Sequence, residues 1–216
     1  MDFAGAYAPS HLKFLVQGLW VTLEVAFVSI VLSFAIGTII GIIRYWKVPL
    51  LSGIMAFLVE TIRNLPLLLI IFFTYFALPE IGIKMSKMTA AIVALVIFES
   101  AMLAEIVRGG LDSVHKGQIE AARSSGLTAV QTMRYVVLPQ GMRRMVPPIV
   151  SQFISLLKDT SLAVVIALPE LMNHVQIING RNVNYVIPTY LMAALMYFAV
   201  NYALSVLSRK LESRQA

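Results

Sequence analysis

The segment GQIEAARSSG, residues 117–126, is short and polar, and it lies between apolar runs that are long enough to cross a membrane. It contains the carboxylate of Glu120, followed by Ala121 and Ala122, and it ends at Gly126. Alanine has a high helix propensity, and its small side chain lets another surface approach the backbone closely. The segment therefore predicts a small-residue helix, which either connects two spans or docks into a groove on a partner.

The residues around this segment predict two helices that meet at an angle. We expect the first helix over residues 118–125, with its acidic residue in the first turn, where the helix dipole favours negative charge. Gly126 is expected to stop this helix in the left-handed conformation. Thr128 and Gln131 match a capping box that opens the second helix. That helix is expected to end before Pro139, because proline breaks the backbone hydrogen-bond pattern.

The composition of the whole chain indicates an integral membrane protein. Of its 216 residues, 59% are hydrophobic and 13% are charged, whereas a soluble domain has about 25% charged residues. So few charged side chains cannot cover a water-facing surface. The chain contains no cysteine, which excludes disulfides and thiol chemistry. Its three histidines lie in different segments and offer no spacing suited to a metal.

Five apolar stretches reach the length of about 20 residues that a membrane-spanning helix needs. They cover residues 14–43, 50–78, 88–107, 145–168 and 185–207. We therefore predict an all-α integral membrane protein with five transmembrane helices, forming a single domain over residues 1–216. The segment 108–144, between the third and fourth spans, is its largest piece outside the membrane and contains the polar helix.

The positions of lysine and arginine predict the orientation, because cytoplasmic segments carry an excess of these residues. With the N-terminus outside, the inner segments hold eleven of them: Arg44, Lys47, Arg108, Lys116, Arg123, Arg134, Arg143, Arg144, Arg209, Lys210 and Arg214. The outer segments then hold four: Lys13, Lys84, Lys87 and Arg181. We therefore predict that the N-terminus is outside and the C-terminus inside. The net charge of +6 follows from this topology and indicates anionic membrane lipid, not nucleic acid, as a partner.

Charged residues inside the spans are candidate site residues, because charges within a membrane are costly and usually functional. In the second span, Arg63 follows Glu60 by three residues, so the two can pair on one helix face. Pro66 cannot donate to the carbonyl of Ile62, which we expect to remain free beside a kink. The pair is either structural or part of a site at a broken helix, where transporters commonly bind substrate.

Glu99 in the third span and the pair Lys158 and Asp159 in the fourth are the other charged candidates. Glu99 has no basic neighbour one turn away in its own helix, so it needs a partner from another span. Adjacent residues project about 100° apart, so one of Lys158 and Asp159 can pair with Glu99 while the other faces the pathway. Thr160 and Ser161 add hydroxyls that can bond a ligand or their own helix. The structural alternative is a Glu99–Lys158 bridge that holds the bundle together.

The end of the third span carries two further signals. Glu105 and Arg108 are three residues apart and predict a structural ion pair that supports the segment 108–144. Gly109 and Gly110 follow directly and are expected to end the span.

Recognisable motifs extend these predictions. EAARSSG at 120–126, followed after nine residues by VVLP at 136–139, resembles the cytoplasmic EAA loop of ABC importer permeases. The family pattern is E-A-A, three residues, G, nine residues and I-x-L-P, and Val136 stands where isoleucine is usual. In that family the loop forms a coupling helix that sits in a cleft of the ATP-hydrolysing subunit. The resemblance implies that four residues couple this chain to an ATPase: Glu120, Ala121, Ala122 and Gly126.

Further motifs resemble the polar amino acid branch of this family, whose members have five spans. They are RNLPLLL at 63–69, AEIVRGGLDSV at 104–114, KGQIEAA at 116–122, LPQGMRRMVPP at 138–148 and LLKDTSLAVV at 156–165. The resemblance covers essentially the whole chain. FESAMLAE at 98–105 is most similar to glutamine or glutamate permeases, with arginine and histidine as alternative substrates.

This resemblance implies the partners and the reaction. The chain would be a permease in the cytoplasmic membrane of a bacterium, paired with a second permease, identical or similar. It would bind a dimer of ATPase subunits and receive an amino acid from an extracytoplasmic solute-binding protein. ATP and magnesium would be bound by the ATPase, and no cofactor by this chain, which has no GxxxxGK[ST] loop and is not expected to be an enzyme. The ammonium and carboxylate of the amino acid would be met by Glu99, Asp159, Lys158 and Arg63.

The residues also leave open a function without transport. The chain could instead be a structural or scaffolding membrane subunit that binds another cytosolic partner through the 117–126 helix. A self-powered carrier is disfavoured, because five spans without an internal repeat fit that architecture poorly.

Overall fold

The computed structural model describes the backbone of residues 1–212 and the side chains of residues 1–206. The described part contains ten α-helices: α1 (Phe3–Ala6), α2 (Pro9–Tyr45), α3 (Leu51–Arg63), α4 (Leu67–Phe72), α5 (Lys87–Asp112), α6 (Lys116–Ser124), α7 (Ala129–Thr132), α8 (Leu138–Asp159), α9 (Leu171–Asn179) and α10 (Val186–Glu212). Short π-helical turns occur at Phe73–Ala77 and Met133–Val137, and 3₁₀ turns at Leu78–Ile81, Thr160–Ile166 and Val183–Tyr185. The side chains of Arg209, Lys210 and Arg214, which contribute to the predicted orientation, lie outside the described residues.

Four helical segments of this part are long and apolar enough to cross a membrane: Pro9–Tyr45, Lys87–Asp112, Ala129–Ile166 and Val183–Val206. A fifth span results if Leu51–Arg63 and Leu67–Ile81, which are bent by 102° relative to each other, count as one. The all-helical membrane architecture is therefore confirmed, and the second predicted span, over residues 50–78, is a broken helix.

The break in the second span lies at residues 64–66 and is closed by local hydrogen bonds. The carbonyl of Ile62 accepts a hydrogen bond from the backbone N–H of Leu65, 3.1 Å away, so the prediction that this carbonyl stays free was wrong. The side-chain amide of Asn64 donates to the carbonyl of Glu60 at 2.8 Å. Because Leu65 takes over the role that Pro66 cannot fill, α3 ends without exposing an unpaired carbonyl at this position.

The helical segment that contains the fourth predicted span begins within residues 108–144 and not near residue 145. The second helix of that segment does not end before Pro139, which corrects the prediction, because Ala129–Ile166 is one helical segment. Proline removes one backbone donor and crowds the carbonyl four residues earlier. The π turn of Met133–Val137 directly precedes α8, in which Pro139 is the second residue. Such turns accommodate irregular hydrogen bonding within a continuing helix.

The third span also continues further than predicted, because α5 runs past Gly109 and Gly110 to Asp112. Gly110 lies where α5 crosses α8, and a Cβ atom added to it would lie 2.7 Å from the Cβ of Met145. A Cβ atom added to Gly141 would lie 3.2 Å from the carbonyl oxygen of Gly110. The two helices therefore cross in close contact at the point where the chain leaves the third span.

The first and third predicted spans, α2 and α5, pack closely along the half of the bundle that leads to segment 108–144. A Cβ atom added to Gly37 would lie 2.8 Å from the Cβ of Leu103, and one added to Gly41 would lie 2.8 Å from the Cβ of Val107. Leu103 and Val107 also belong to a buried cluster that includes Val137 of the turn before α8. The core of the bundle thus continues into the segment that carries α6.

Candidate functional site

Helix α6 is closed at both ends by specific hydrogen bonds. At its start, the backbone N–H of Gly117 donates to Nδ1 of His115 at 3.1 Å. At its end, the N–H of Leu127 donates to the carbonyl of Ala122 at 3.2 Å, and the N–H of Gly126 donates to that of Arg123 at 3.1 Å. This pair of bonds is the Schellman motif. Gly126 has φ +88°, so the predicted left-handed stop is confirmed.

The predicted capping box lies at the start of α7 and stabilises the turn that follows α6. The N–H of Gln131 donates to Oγ1 of Thr128 at 3.3 Å, and the N–H of Thr128 donates to Oε1 of Gln131 at 2.8 Å. Arg123 adds a third bond across the turn, from Nη1 to the carbonyl of Leu127, at 2.7 Å. The angle between α6 and the following helix is therefore set by residues 122–131 themselves.

The two alanines of α6 lie in different environments. Ala122 is buried against its own chain, whereas Glu120 and Ala121 are exposed. The difference follows from the helix geometry, because adjacent residues project about 100° apart. The face that is free to meet a partner is thus formed by Glu120 and Ala121, and Ala122 serves the packing of the loop. The coupling role of these residues remains a prediction.

A cluster of charged side chains ties three helices together next to this loop. Glu105 of α5 accepts a hydrogen bond from Nη1 of Arg44, at the end of α2, at 2.7 Å. It also accepts from Arg108, and it lies 4.0 Å from Nη1 of Arg63, at the end of α3. Arg108 bonds Asp112 as well. The predicted Glu105–Arg108 pair is confirmed, and it is part of a network that joins α2, α3 and α5.

Arg63 is placed in this network and not in a pair with Glu60. Among the described side chains, the ion pair that Arg63 forms is with Glu105 of another helix, so the predicted Glu60–Arg63 pair was wrong. The break after α3 explains the difference, because the end of that helix turns toward α5.

Glu99 is fully buried between α5 and α8. Its Oε1 accepts a hydrogen bond from Nε2 of Gln152 at 3.2 Å, whereas Oε2 has no hydrogen-bond partner among the described side chains and backbone. Lys158 is exposed, and no ion pair joins it to Glu99 among the described residues. The partner of Glu99 from another span is thus the side-chain amide of Gln152 and not the ammonium group of Lys158. The predicted Glu99–Lys158 bridge is therefore absent from the single chain.

The residues around Lys158 have mixed roles. Asp159 is partly buried. Thr160 is buried, and its hydroxyl donates to the carbonyl of Leu157 at 2.8 Å, so it bonds its own helix. Ser161 is partly buried. Of the predicted site residues, the structure therefore places Glu99 against Gln152 of α8 and Arg63 in the separate network around Glu105.

Two polar features escaped the sequence-based predictions. Along α8, the side chains of Ser151, Ser155 and Lys158 are spaced four and three residues apart and are exposed or partly exposed. This spacing puts them on one helix face. A search of the fourth span for helical periodicity of small polar residues would have identified this stripe.

The second missed feature is Glu170, a fully buried carboxylate that caps α9. It accepts from the N–H of Met172 at 2.9 Å and from that of Asn173 at 2.7 Å, and the hydroxyl of Tyr197 donates to it at 3.3 Å. His174 of α9 stacks on Phe14 of α2, with ring centroids 3.7 Å apart. The apolar residues 171, 175 and 178 follow Glu170 with helical spacing, which is the pattern that indicates a capped helix.

Comparisons with known proteins agree with this architecture. Residues 21–216 match the family described as "Binding-protein-dependent transport system inner membrane component". The probable glutamine ABC transporter permease protein GlnP of Bacillus subtilis (strain 168) is 68% identical over 217 residues, which cover 100% of both chains. The glutamine transport system permease protein GlnP of Escherichia coli (strain K12) is 35% identical over 202 residues, which cover 93% of this chain and 92% of that one.

A solved structure gives the same result for the fold. The crystal structure of an amino acid ABC transporter with histidines superimposes with a TM-score of 0.91 at 31% sequence identity, over 99% of each chain. The resemblance to ABC importer permeases is thus confirmed. This multi-pass membrane chain belongs to the family of inner membrane components of binding-protein-dependent transport systems.

Proposed function

We propose that this chain is the transmembrane permease subunit of an ATP-driven ABC importer for a polar amino acid, with glutamine as the favoured substrate. Two relatives that align over nearly their full length are named as glutamine permeases. Glutamate, arginine and histidine are the alternative substrates. The observation that carries the proposal is α6, a helix that is capped at both ends by its own chain and presents Glu120 and Ala121 outward.

In this proposal α6 docks into a groove on an ATPase subunit, in the manner of a helix that presents small residues to a cleft. Glu120 and Ala121 form the contact face, and Gly126 fixes the direction in which the helix leaves the loop. The ATPase dimer would bind ATP and magnesium and hydrolyse the nucleotide. The permease itself would perform no chemical step.

The orientation is proposed from the eleven-to-four distribution of basic residues, with the N-terminus outside and the C-terminus inside. This topology places α6 on the cytoplasmic side, where an ATPase can reach it. It places the turns at Leu78–Ile81 and Val183–Tyr185 on the outer side, where a solute-binding protein would deliver the amino acid.

The substrate path is proposed along the polar face of α8. A second permease would bring two such faces together around a central path. Asp159 is the proposed partner of the substrate ammonium group, and Glu99, whose Oε2 has no hydrogen-bond partner among the described residues, is a second candidate. Lys158, Thr160 and Ser161 supply a cation and hydroxyls. Arg63 is the proposed partner of the substrate carboxylate at a different point of the path, because it lies in the network around Glu105 and not beside Asp159.

The proposed mechanism is alternating access. ATP binding closes the ATPase dimer, draws the two α6 helices together and opens the path to the outside. Hydrolysis then returns the path to the cytoplasmic side. Each nucleotide would favour the transporter state that binds it more tightly, as linkage requires.

Reconstitution tests this function directly. The chain would be purified with its ATPase, inserted into liposomes and supplied with its solute-binding protein loaded with glutamine, glutamate, arginine or histidine. We expect glutamine-loaded binding protein to stimulate ATP hydrolysis and uptake the most. Stable association with an ATPase without stimulation by any loaded binding protein would instead favour the scaffolding function.

A further inference from the structure

Two cavities lie side by side on the cytoplasmic half of the chain, between the end of α2 and the helical segment Ala129–Ile166. The first has a volume of about 390 Å³, and its walls include Tyr45, Trp46, Arg123 and Thr132. The second has a volume of about 310 Å³ and lies between α2 and α8. They are neighbours, because Val137 lines the first and the next residue, Leu138, lines the second.

The first cavity combines aromatic and cationic groups. Tyr45 and Trp46 mark the end of the first span, and aromatic residues at the ends of spans lie at the level of the lipid headgroups. Arg123 lines this cavity, and its Nη1 donates to the carbonyl of Leu127 at 2.7 Å. A guanidinium carries five N–H donors, so four remain for another acceptor. This cavity therefore suits an anionic group.

The second cavity is almost entirely apolar. Its walls include Phe34 and Ile42 of α2 and Met142, Val146 and Ile149 of α8. Ile42 and Met142 are partly exposed at its opening, with 40% and 49% of their surface accessible. Its lining reaches from Leu138, the residue next to Val137 of the first cavity, to Phe34 and Phe153 nearer the middle of α2 and α8. A cavity with one cationic side chain therefore lies next to an apolar groove.

We propose that these two cavities together bind one anionic phospholipid of the cytoplasmic leaflet. Its phosphate would accept hydrogen bonds from Arg123, and one acyl chain would lie in the groove between α2 and α8. The order of the two chemistries, cationic at the interface and apolar within the membrane, is that of a lipid. Basic pockets between spans on the cytoplasmic side bind anionic headgroups in the same way. An apolar helix of a second permease would fill the groove but would leave the cationic cavity unused.

The inference concerns α6 directly, because Ile119 and Arg123 of its inner face line the first cavity. The bound lipid would hold the inner face of the predicted coupling helix against the end of the first span. The proposal rests on the orientation given above and on no feature of the substrate path.

Native mass spectrometry of the purified transporter complex tests this inference. The complex would be reconstituted in nanodiscs containing equal amounts of phosphatidylglycerol and phosphatidylcholine and then released into detergent. We expect one phosphatidylglycerol molecule retained per permease chain. Arg123→Gln should weaken its retention about fivefold, the effect of removing one basic residue near a lipid surface. The control Arg134→Gln removes an exposed arginine of the same loop and should leave retention unchanged.

A second pair of variants tests the groove independently of the charge. Ile42→Trp fills the second cavity and should abolish retention, whereas Ile39→Trp changes a more exposed position of the same helix and should have no effect. Equal retention of both lipids, or equal loss in test and control variants, would mean that the lipid binds nonspecifically and would overturn the proposal. Loss of permease pairing in Ile42→Trp with unchanged lipid retention would show that a second permease occupies the groove and would also overturn it.

Discussion

At the scale of single residues, Gly126 controls the direction of the cytoplasmic loop. Its φ is +88°, and no atom lies within 4 Å of the position that a Cβ would take, so conformation alone restricts the residue. The left-handed conformation costs other residues about 1–2 kcal/mol. We expect Gly126→Val to insert in the membrane but to lose the ATP hydrolysis that loaded binding protein stimulates. Stimulated hydrolysis in proteoliposomes is the measurement.

The matched control is Gly126→Asn, because asparagine tolerates the left-handed conformation. It should keep most of the stimulation. If the valine variant is stimulated as strongly as the native protein, the turn does not transmit the signal.

Glu99 gives a second prediction at this scale. A buried carboxylate with one unpaired oxygen gains little stability from its charge, since burying an ionised group is costly. Glu99→Gln should therefore keep or raise the melting temperature. If Glu99 contributes to amino acid recognition, the glutamine-stimulated ATPase activity of the variant should fall at least about tenfold. Its basal ATPase activity should persist. Unchanged stimulation, measured beside the melting temperature, would remove Glu99 from the proposed site.

At the scale of helices, the network around Glu105 joins α2, α3 and α5. The side chain of Arg44 is only 11% exposed, so it depends on its carboxylate partner. We expect Glu105→Gln to lower the free energy of unfolding by about 2 kcal/mol, because hydrogen bonds to charged groups contribute about 1.5–3 kcal/mol each. Thermal unfolding in detergent is the measurement.

Asp112→Asn provides the comparison for this network. Asp112 is 49% exposed and bonds Arg108 alone within the described network, so its loss should cost less than about 1 kcal/mol, as for other exposed pairs. Equal effects of the two variants would show that Glu105 has no special role in joining the helices.

Helix boundaries differed in how far they could be predicted. The stop at Gly126 and the box at Thr128 depend on residues within one turn, so the sequence was sufficient. The continuation of the helix through Pro139 was not predicted, because it depends on a π turn that has no simple sequence signal. The partner of Glu99 was also missed: Gln152 is 53 residues away in the chain, and such a contact is fixed by the packing of α5 on α8.

At the scale of the whole molecule, the orientation can be tested without background, since the chain has no cysteine. Lys84 and Lys116 are both exposed. A cysteine at Lys84 should react with a membrane-impermeant thiol reagent in intact cells, and one at Lys116 should react only after the cells are permeabilised. The excess of basic residues on the inner side is the physical reason. The reverse pattern of labelling would contradict the proposed topology.

The all-helical membrane architecture and the family were accessible from the sequence, because long apolar runs and the EAA pattern are local signals. The substrate site was less accessible. Arg63 is a charged residue of a predicted span, yet the structure places it at the end of α3 beside Glu105 of α5. It lies directly before the 102° bend of the second predicted span, whose size a single proline does not determine.

The helical segment Ala129–Ile166 has 38 residues and is therefore about 57 Å long. It crosses α5 in tight contact at Gly141, which divides it into a cytoplasmic arm of about 18 Å, from Ala129, and an outer arm of about 27 Å, to Asp159. A π turn at Met133–Val137 interrupts the first arm, and Pro147 and Pro148 interrupt the second. A segment that stayed stiff across them would work as a lever with its fulcrum at the glycine contact. If it turns as one body, a push of about 2 Å at the capping box would swing Asp159 by about 3 Å in the opposite direction. The loop would thus act on the far end of the path with a small mechanical gain in displacement, and a bulky residue at Gly110 or Gly141 would move the fulcrum and change that gain.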